Sequence, residues 1–306
     1  MRRRLAAIAF AAAALAACGG ADAAHTPRIT TPGPITTTAP PPLDGTRFDI
    51  AQHFWHDGFR VDLEAAEVWT SQTRFTNRLS YWLTLRGQFQ NLGPDPAIFQ
   101  PEMTVLFDGT ELNTRQGDAP QVGAKASEPG ELTFLVTEDF DFQQAELVVG
   151  ASDENRARVP LGPAGAAVRL EPTQVSLDAT GAIGSLEVFV TSAELRYDDP
   201  VGHTTANNGE MILQLSFDVF SRRDGVGRLS AEDFELVLAD GSSIQPFDAV
   251  LESLAGSAEG ITNEDFQVRF VIDEPAANAD YALRITPDPS FVTDEGPTDV
   301  AISFTL

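Results

Sequence analysis

Cysteine is almost absent from this chain of 306 residues, which contains a single one, Cys18. A lone cysteine forms no disulfide within the chain, so the fold has to be stable on its hydrophobic cores alone. Basic residues are scarce as well, because 20 Lys and Arg stand against 45 Asp and Glu, for a formal net charge of −25. An acidic surface of this kind repels phosphate backbones, which argues against a nucleic-acid partner.

Catalytic motifs are also missing. The sequence has no G-x-S-x-G, no H-E-x-x-H, no phosphate-binding glycine loop and no G-x-G-x-x-G. Pairs of carboxylates occur, but with 45 acidic residues some pairs are unavoidable and their spacing alone defines no glycosidase geometry. We therefore expect a protein that is not an enzyme and needs no cofactor.

The N-terminus has the layout of an export signal. Three arginines (2–4) precede thirteen uncharged, mostly apolar residues (5–17), a run shorter than the roughly 20 residues that span a bilayer. The stretch Leu15-Ala16-Ala17-Cys18 resembles the lipobox of bacterial lipoproteins. That resemblance implies cleavage before Cys18 and a diacylglyceryl thioether on its sulfur. We expect an exported protein that lipidated Cys18 anchors to the outer face of the cytoplasmic membrane or to another envelope membrane.

The next segment, residues 18–45, is rich in Thr, Pro and Ala and has almost no large side chains to bury. Such a composition predicts a disordered tether between the anchor and the folded part. No second apolar run of membrane length follows it. The mature chain should therefore be a folded body that is tethered to the membrane by its first residue.

The rest of the chain contains an internal repeat. TRFDIAQHFWHDGFRVDLEAAEVW (46–69) aligns without gaps on TQVSLDATGAIGSLEVFVTSAELR (173–196) at an offset of 127. The further matches are YWLTLRGQF (81–89) with MILQLSFDV (211–219) at 130, VLFDG (105–109) with VLADG (237–241) at 132, and LTFLV (132–136) and AELVV (145–149) with VRFVI (268–272) and YALRI (281–285) at 136. The offset grows only between apolar runs, which indicates a tandem duplication whose loops have lengthened.

The repeat and the N-terminal pattern together predict four segments. They are a lipoprotein signal peptide (1–17), the lipidated cysteine with its tether (18–45), and two domains (46–163 and 164–306). Both domains are of ordinary size for a single hydrophobic core.

Apolar residues alternate along each copy with a period of two, which predicts strands with one buried face. The first long strand of each copy changes phase, as Val61 and Leu63 give way to Ala66 and Val68, and this predicts a β-bulge. Only LSAEDFE (229–235) favours a helical turn. We predict an all-β protein with two tandem antiparallel immunoglobulin-like β-sandwich domains of six or seven strands each.

The second copy resembles the telokin-like, immunoglobulin-like repeat of the immunoprotective extracellular family. The resemblance rests on the early hairpin, on EMILQLSFDVF (210–220), on LSAEDFELVLADGSSIQPF (229–247) and on FQVRFVID (266–273). The first copy matches more loosely, because IFQPEMTVLFDGTEL (98–112) lacks the Asp-Phe entry. The family includes secreted and lipid-anchored bacterial proteins and brings no catalytic residues to this chain.

Metal ligands are weakly indicated in two places. His53 and His56 in HFWH are of the right type for zinc, but two histidines without a nearby third ligand make a poor site, and an aromatic loop packed on its own domain explains them better. Acidic loops offer oxygen ligands for calcium, namely TEDFDF (137–142), YDDP (197–200), TNEDF (262–266) and the final loop with Asp294, Glu295 and Asp299. The alternative is that these acids lie in solvated turns.

Aromatic residues out of phase with the buried face give the candidate contact surface. Trp82 and Phe220 fall on the outer side of their strands, and Phe140 and Phe142 lie in an acidic connection. Exposed aromatics anchor many protein contacts, although these rings could instead seal a contact between the domains or lie under a loop. We expect an extracytoplasmic binding or accessory protein with an envelope protein as partner, or alternatively a calcium or small-ligand binder or a passive surface spacer.

Overall fold

The computed structural model describes residues 45–72, 78–112, 115–116 (backbone only), 120–163, 165–222, 224–275, 278–287 and 299–306. These residues form antiparallel sheets with two short 3-10 helices, so the all-β prediction is confirmed. The predicted signal peptide, Cys18 and almost all of the tether lie outside the described residues. Among the residues that are described, no helix is long and apolar enough to cross a membrane.

The first sandwich packs a five-stranded sheet against a four-stranded sheet. Their orders are β1-β2-β3-β9-β7 and β11-β10-β5-β6, and β4 and β8 form a separate pair. The elements are β1 (Gly45–His56), β2 (Phe59–Gln72), β3 (Leu79–Asn91), β4 (Ala97–Ile98), β5 (Met103–Phe107), β6 (Thr110–Leu112), β7 (Arg115–Gln116), β8 (Gln121–Val122), β9 (Ser127–Val136), the 3-10 helix η1 (Phe142–Gln144), β10 (Glu146–Val149) and β11 (Ala157–Pro160).

The second sandwich repeats this arrangement. Its main sheets have the orders β12-β13-β16-β22-β20 and β19-β18-β23-β24, with the small pairs β14-β15 and β17-β21 beside them. The elements are β12 (Thr173–Ile183), β13 (Leu186–Arg196), β14 (Asp198–Asp199), β15 (Thr204–Thr205), β16 (Glu210–Ser221), β17 (Gly225–Arg228), the 3-10 helix η2 (Ala231–Asp233), β18 (Phe234–Val237), β19 (Ser243–Ile244), β20 (Asp248–Val250), β21 (Ser253–Gly256), β22 (Ile261–Asp273), β23 (Asp280–Ile285) and β24 (Val300–Thr305).

The register of the sheets agrees with the internal repeat. Leu83 of β3 lies opposite Phe134 of β9, and Leu213 of β16 lies opposite Phe270 of β22. All four side chains are fully buried in their cores. The offsets of 130 and 136 read from the sequence therefore pair the same positions in both sandwiches.

The alignment of VLFDG (105–109) with VLADG (237–241) was wrong by one residue in the strand. Val105 of β5 lies opposite Leu147, and its counterpart opposite Leu283 is Leu236 rather than Val237. The offset in this strand is therefore 131, not 132. The second copy has a longer turn after the strand, which residues 238–242 form, and matching the turn residues shifted the strand with them.

The predicted bulges are present in both copies. The ladder shifts between Leu63 and Ala65 in β2, and between Val190 and Ser192 in β13. Each shift leaves one residue of the strand without a partner, which turns the strand around its core. The predicted helical turn at 229–235 is also confirmed, as η2.

The two main sheets of each sandwich contain nine strands, more than the six or seven predicted. The additional strands are two to four residues long, as in β7 and β19, and such short segments show no period in the sequence. Each sandwich has its own buried core. The first core takes in Leu170, beyond the domain boundary that we predict at residue 163.

Candidate functional site at the junction of the two sandwiches

A cluster of polar side chains lies where one connection of the second sandwich meets the first sandwich. This connection, residues 197–209 between β13 and β16, contains the short hairpin β14–β15 and is called the strap below. The strap contacts the β1–β2 turn of the first sandwich and the connection between β10 and β11. It therefore brings together residues that are about 50 and about 140 positions apart in the sequence.

The β1–β2 turn is formed by Asp57 and Gly58, as their sequence predicts, and both have left-handed backbone angles with φ of 51° and 72°. The N–H of Gly58 donates to Asp198 Oδ2 at 2.7 Å. The Thr205 hydroxyl accepts the N–H of Asp57 at 3.2 Å and donates to the Asp57 carboxylate at 2.9 Å.

Asp198 is an ionisable group with only 1% of its surface exposed. Burial raises the pKa of its carboxyl group, while the Arg196 guanidinium, the Gly58 N–H and His56 oppose this rise. Arg196 Nη2 and Nε donate to Asp198 Oδ1 at 2.9 and 3.1 Å. The same guanidinium also donates to Glu194 at 2.9 Å, so its donors are shared between two carboxylates.

Asp199 is held by a second buried guanidinium. Arg269 of β22 pairs with Asp199 of the strap and with Asp248 of β20, and its guanidinium packs over Phe247 at 5.7 Å. The other contact to Asp199 is the N–H of Val201, at 2.9 Å. The YDDP acids therefore do not lie in a solvated turn, because both carboxylates are buried and pair with arginines of the second sandwich.

Asn155 fastens the other end of the strap. Its side-chain nitrogen donates to the carbonyl oxygens of Ala206, Asn207 and Glu210 at 3.2, 2.8 and 2.8 Å. Its side-chain oxygen accepts the N–H of Gly209 at 3.2 Å. A single buried amide thus bonds four backbone groups of the second sandwich, two of which, the carbonyl oxygens of Ala206 and Asn207, also accept a backbone N–H.

The proposed histidine pair does not form. His56 is fully buried, with Nδ1 3.2 Å from Asp57 Oδ1 and 3.3 Å from the Thr205 hydroxyl. His53 is half-buried and packs edge-on against Trp55 at 5.3 Å. The two histidines are three residues apart on β1, where an odd spacing places side chains on opposite faces. The structure therefore does not bring the two rings together on one face of the strand.

Of the three acidic metal candidates in the final loop, the structure describes one. Asp299 is exposed, and Asp294 and Glu295 lie outside the described residues. Within the ranges that the structure does describe, no three His, Cys, Asp or Glu residues come together as a possible metal site.

Trp82 and Phe220 lie on the outer faces of their sheets, where the strand period places them. Trp82 is half-buried, stacks on Trp69 with 5.7 Å between ring centroids, and donates its indole N–H to Ser71 at 2.8 Å. Phe220 is half-buried beneath the Arg222 guanidinium, which lies 4.9 Å from its ring centroid. Each ring therefore keeps part of its surface open to solvent.

The two phenylalanines of the acidic connection differ from each other. Phe140 is half-buried and meets Phe107 edge-on at 5.3 Å. Phe142 is only 4% exposed, and its ring stacks on Phe48 at 4.4 Å. Phe142 therefore belongs to the first core, and its proposed role in a partner contact is wrong, because η1 turns the side chain inward under the connection.

Sequence reasoning missed the junction, although one signal pointed to it. The repeat aligns His56 with Ile183, which is 1% exposed in the second core. A polar residue at a position that the other copy fills with isoleucine indicates a polar neighbour that the other copy lacks. That neighbour is the strap, through Thr205.

Comparison with known proteins gives little beyond this geometry. No protein-family model matches the chain, and no curated protein matches its sequence. A solved structure of a proposed lipoprotein, ycdA from Bacillus subtilis subsp. subtilis str. 168, is similar over 43% of this chain, with 15% identity and a TM-score of 0.31. The chain spans 39% of the length of that protein.

Proposed function

We propose that this chain is an exported lipoprotein whose two immunoglobulin-like sandwiches act through protein contacts at the cell envelope, as a binding or accessory protein and not as an enzyme. The observation that carries the proposal is Leu15-Ala16-Ala17-Cys18 at the end of a short apolar run that follows three arginines. A Thr- and Pro-rich segment then separates the anchor from the folded residues, which is the arrangement of a displayed protein.

The second sandwich offers the more suitable contact surface. Strand β20 (Asp248–Val250) lies at the edge of its sheet and is paired only with β22. Phe247 precedes this strand and Val250 ends it, and both side chains are 47% exposed. A short open edge with apolar side chains can accept an extended segment of a partner by strand addition. The outer rings of Trp82 and Phe220 are further contact candidates.

The test is crosslinking in cells of the lipidated protein, followed by affinity capture and mass spectrometry. We expect one stoichiometric envelope protein, with crosslinks concentrated near β20, and we expect capture to fail for Val250→Pro. Proline at this edge position removes a backbone N–H that an added strand could use. Phe247→Ser is the companion variant, because it removes an exposed ring and leaves the backbone of β20 unchanged. Cys18→Ala is the control for the anchor.

Two results would contradict the proposal. A Cys18→Ala protein that stays in the membrane fraction would exclude the lipid anchor. Capture of abundant neighbours alone, equal in the wild type and in Phe247→Ser, would exclude a specific protein contact at β20. In that case a calcium titration followed by thermal unfolding would test the ligand-binding alternative.

A passive spacer is the second candidate function. It is favoured by the strap, which joins the two sandwiches through hydrogen bonds at both of its ends. If the protein is a spacer, shortening the tether and removing one sandwich should have the same effect, because each only reduces the distance that the chain reaches from the membrane. If Phe247→Ser abolished the capture of a partner, a passive spacer would be excluded.

A further inference from the structure

Two sandwiches in one chain normally move relative to each other, because most contacts between domains are small and polar. Here the strap is polar as well, but it is hydrogen-bonded to the first sandwich at both of its ends, and at one end the bond is made by the buried carboxylate of Asp198. We propose that the strap fixes the two sandwiches as one rigid body. This inference does not depend on the lipid anchor or on the proposed partner.

The first argument is that the strap is attached at two separate places. At one end, Asp198 and Thr205 bind the backbone and side chain of the β1–β2 turn. At the other end, Asn155 binds the backbone from Ala206 to Glu210, and Asn208 donates its N–H to the Asp153 carbonyl at 2.9 Å. A rotation about either attachment breaks the other, so hinge motion requires the loss of several hydrogen bonds at one end of the strap.

The second argument is that the strap has a rigid base on its own sandwich. The Asp198 carboxylate is held by Arg196 of β13, and the Asp199 carboxylate by Arg269 of β22. Both arginines are less than 10% exposed. Because these strands are central in their sheet, the strap cannot shift as an independent loop.

The third argument is the lack of space at Gly93. A Cβ atom at this position would overlap the carbonyl oxygen of Pro200 and would lie 2.9 Å from two atoms of the His203 ring. Gly93 does not have a left-handed φ, so its own backbone accepts any residue. The absence of a side chain therefore serves the docking of the strap, not the fold of the first sandwich.

This position permits a test that leaves each sandwich intact. Gly93→Ala adds one methyl group against the strap, whereas Gly123→Ala adds the same group in the same sandwich, where its only neighbour within 4 Å is Ala126 Cβ at an ordinary 3.6 Å. Residual dipolar couplings of the full chain report whether both sandwiches share one alignment tensor. Hydrogen exchange at Gly58 and Asn208 reports whether the two attachments are closed.

We expect one shared tensor for the wild type and for Gly123→Ala. For Gly93→Ala we expect two tensors, and exchange at Gly58 and Asn208 that is faster by about tenfold or more. Couplings of the wild type that require two different tensors would overturn the proposal, as would a Gly93→Ala chain that keeps one tensor and full protection. If Gly93→Ala does not fold, Asn155→Ala is measured in the same way and decides by the same outcomes.

Discussion

The carboxylate of Asp198, in the second sandwich, accepts the backbone N–H of Gly58, in the first sandwich, at 2.7 Å. Both ends of this hydrogen bond are buried, and Arg196 occupies the other carboxylate oxygen. A loop that belongs to one sandwich thus completes the hydrogen bonding of a turn in the other. The stability of the junction should therefore depend on side chains that make no contribution to either core.

Asn155→Ala tests the far end of the junction. The substitution removes four hydrogen bonds between the first sandwich and the backbone of the second. The carbonyl oxygens of Ala206 and Asn207 keep a backbone donor, whereas the Gly209 N–H loses the Asn155 oxygen. We expect a loss of about 1–3 kcal/mol in the free energy of unfolding, because buried polar groups lose their hydrogen bonds. Urea unfolding measures the loss, and hydrogen exchange at Asn208 locates it at the junction.

Asn263→Ala is the matched control. The Asn263 side chain also makes four hydrogen bonds to backbone groups, but all four lie within the second sandwich. It should lower the free energy of unfolding by a similar amount and leave protection at Asn208 unchanged. Equal protection at Asn208 in both variants would contradict the role assigned to Asn155.

Asp198→Asn gives a pH dependence with a definite sign. Burial raises the pKa of Asp198 in the folded state above its unfolded value, so the folded state binds this proton more tightly. The stability that Asp198 contributes is fully present below the ordinary aspartate pKa of about 3.9 and is lost as the pH rises through the folded pKa. We therefore expect the stability of the wild type relative to Asp198→Asn to decrease between acidic and neutral pH, as urea unfolding at a series of pH values would show.

Asp240→Asn should show the opposite sign. Hydrogen bonds from the Ser242 hydroxyl and N–H lower the pKa of Asp240, which lies in an exposed turn. The contribution of Asp240 is present above the ordinary aspartate pKa and is lost as the pH falls through the folded value. A common slope for both variants would show that the pH dependence comes from the net charge and not from burial at the junction.

The sequence predicted the strands and their register well, because a period of two fixes which residues meet across a sheet. Leu83 and Phe134 face each other for this reason, and the repeat carries the same pairing to Leu213 and Phe270. The Asp57-Gly58 turn was predictable as well, since few other residue pairs adopt its left-handed backbone angles. These features depend on neighbours along one strand or one turn.

The junction was not predictable in the same way, because its partners come from distant parts of the chain. In the sequence, Asp198 and Asp199 resemble solvated turn acids. In the structure, Asp198 accepts the N–H of Gly58 and Asp199 pairs with Arg269. Phe142 likewise resembles an exposed contact residue in the sequence, whereas in the structure its ring stacks on Phe48. In each case the tertiary neighbour, and not the local pattern, decides whether the side chain is buried.

Phe142→Ala tests that neighbour directly. The ring is buried in the first core against Phe48, so its removal leaves a cavity. We expect a loss of about 3–5 kcal/mol in the free energy of unfolding, as for other large core residues. Thermal unfolding should show the loss, and a variant with the stability of the wild type would show that the ring is not a core residue.

Trp82→Ala should separate contact from stability. Its ring lies on the outer face of β3 against Trp69 and is half-buried, so we expect a smaller loss of stability than from Phe142→Ala, of which about 0.5–1.5 kcal/mol comes from the aromatic pair. If Trp82 also contacts a partner, crosslinking at this face falls while the fold persists, a combination that Phe142→Ala does not give. Ser80→Ala, on the same outer face and also half-buried, is the control for a small change at this surface. A large loss of stability from Trp82→Ala, comparable with that of Phe142→Ala, would assign the tryptophan to the structural framework of the first sandwich and remove it from the contact surface.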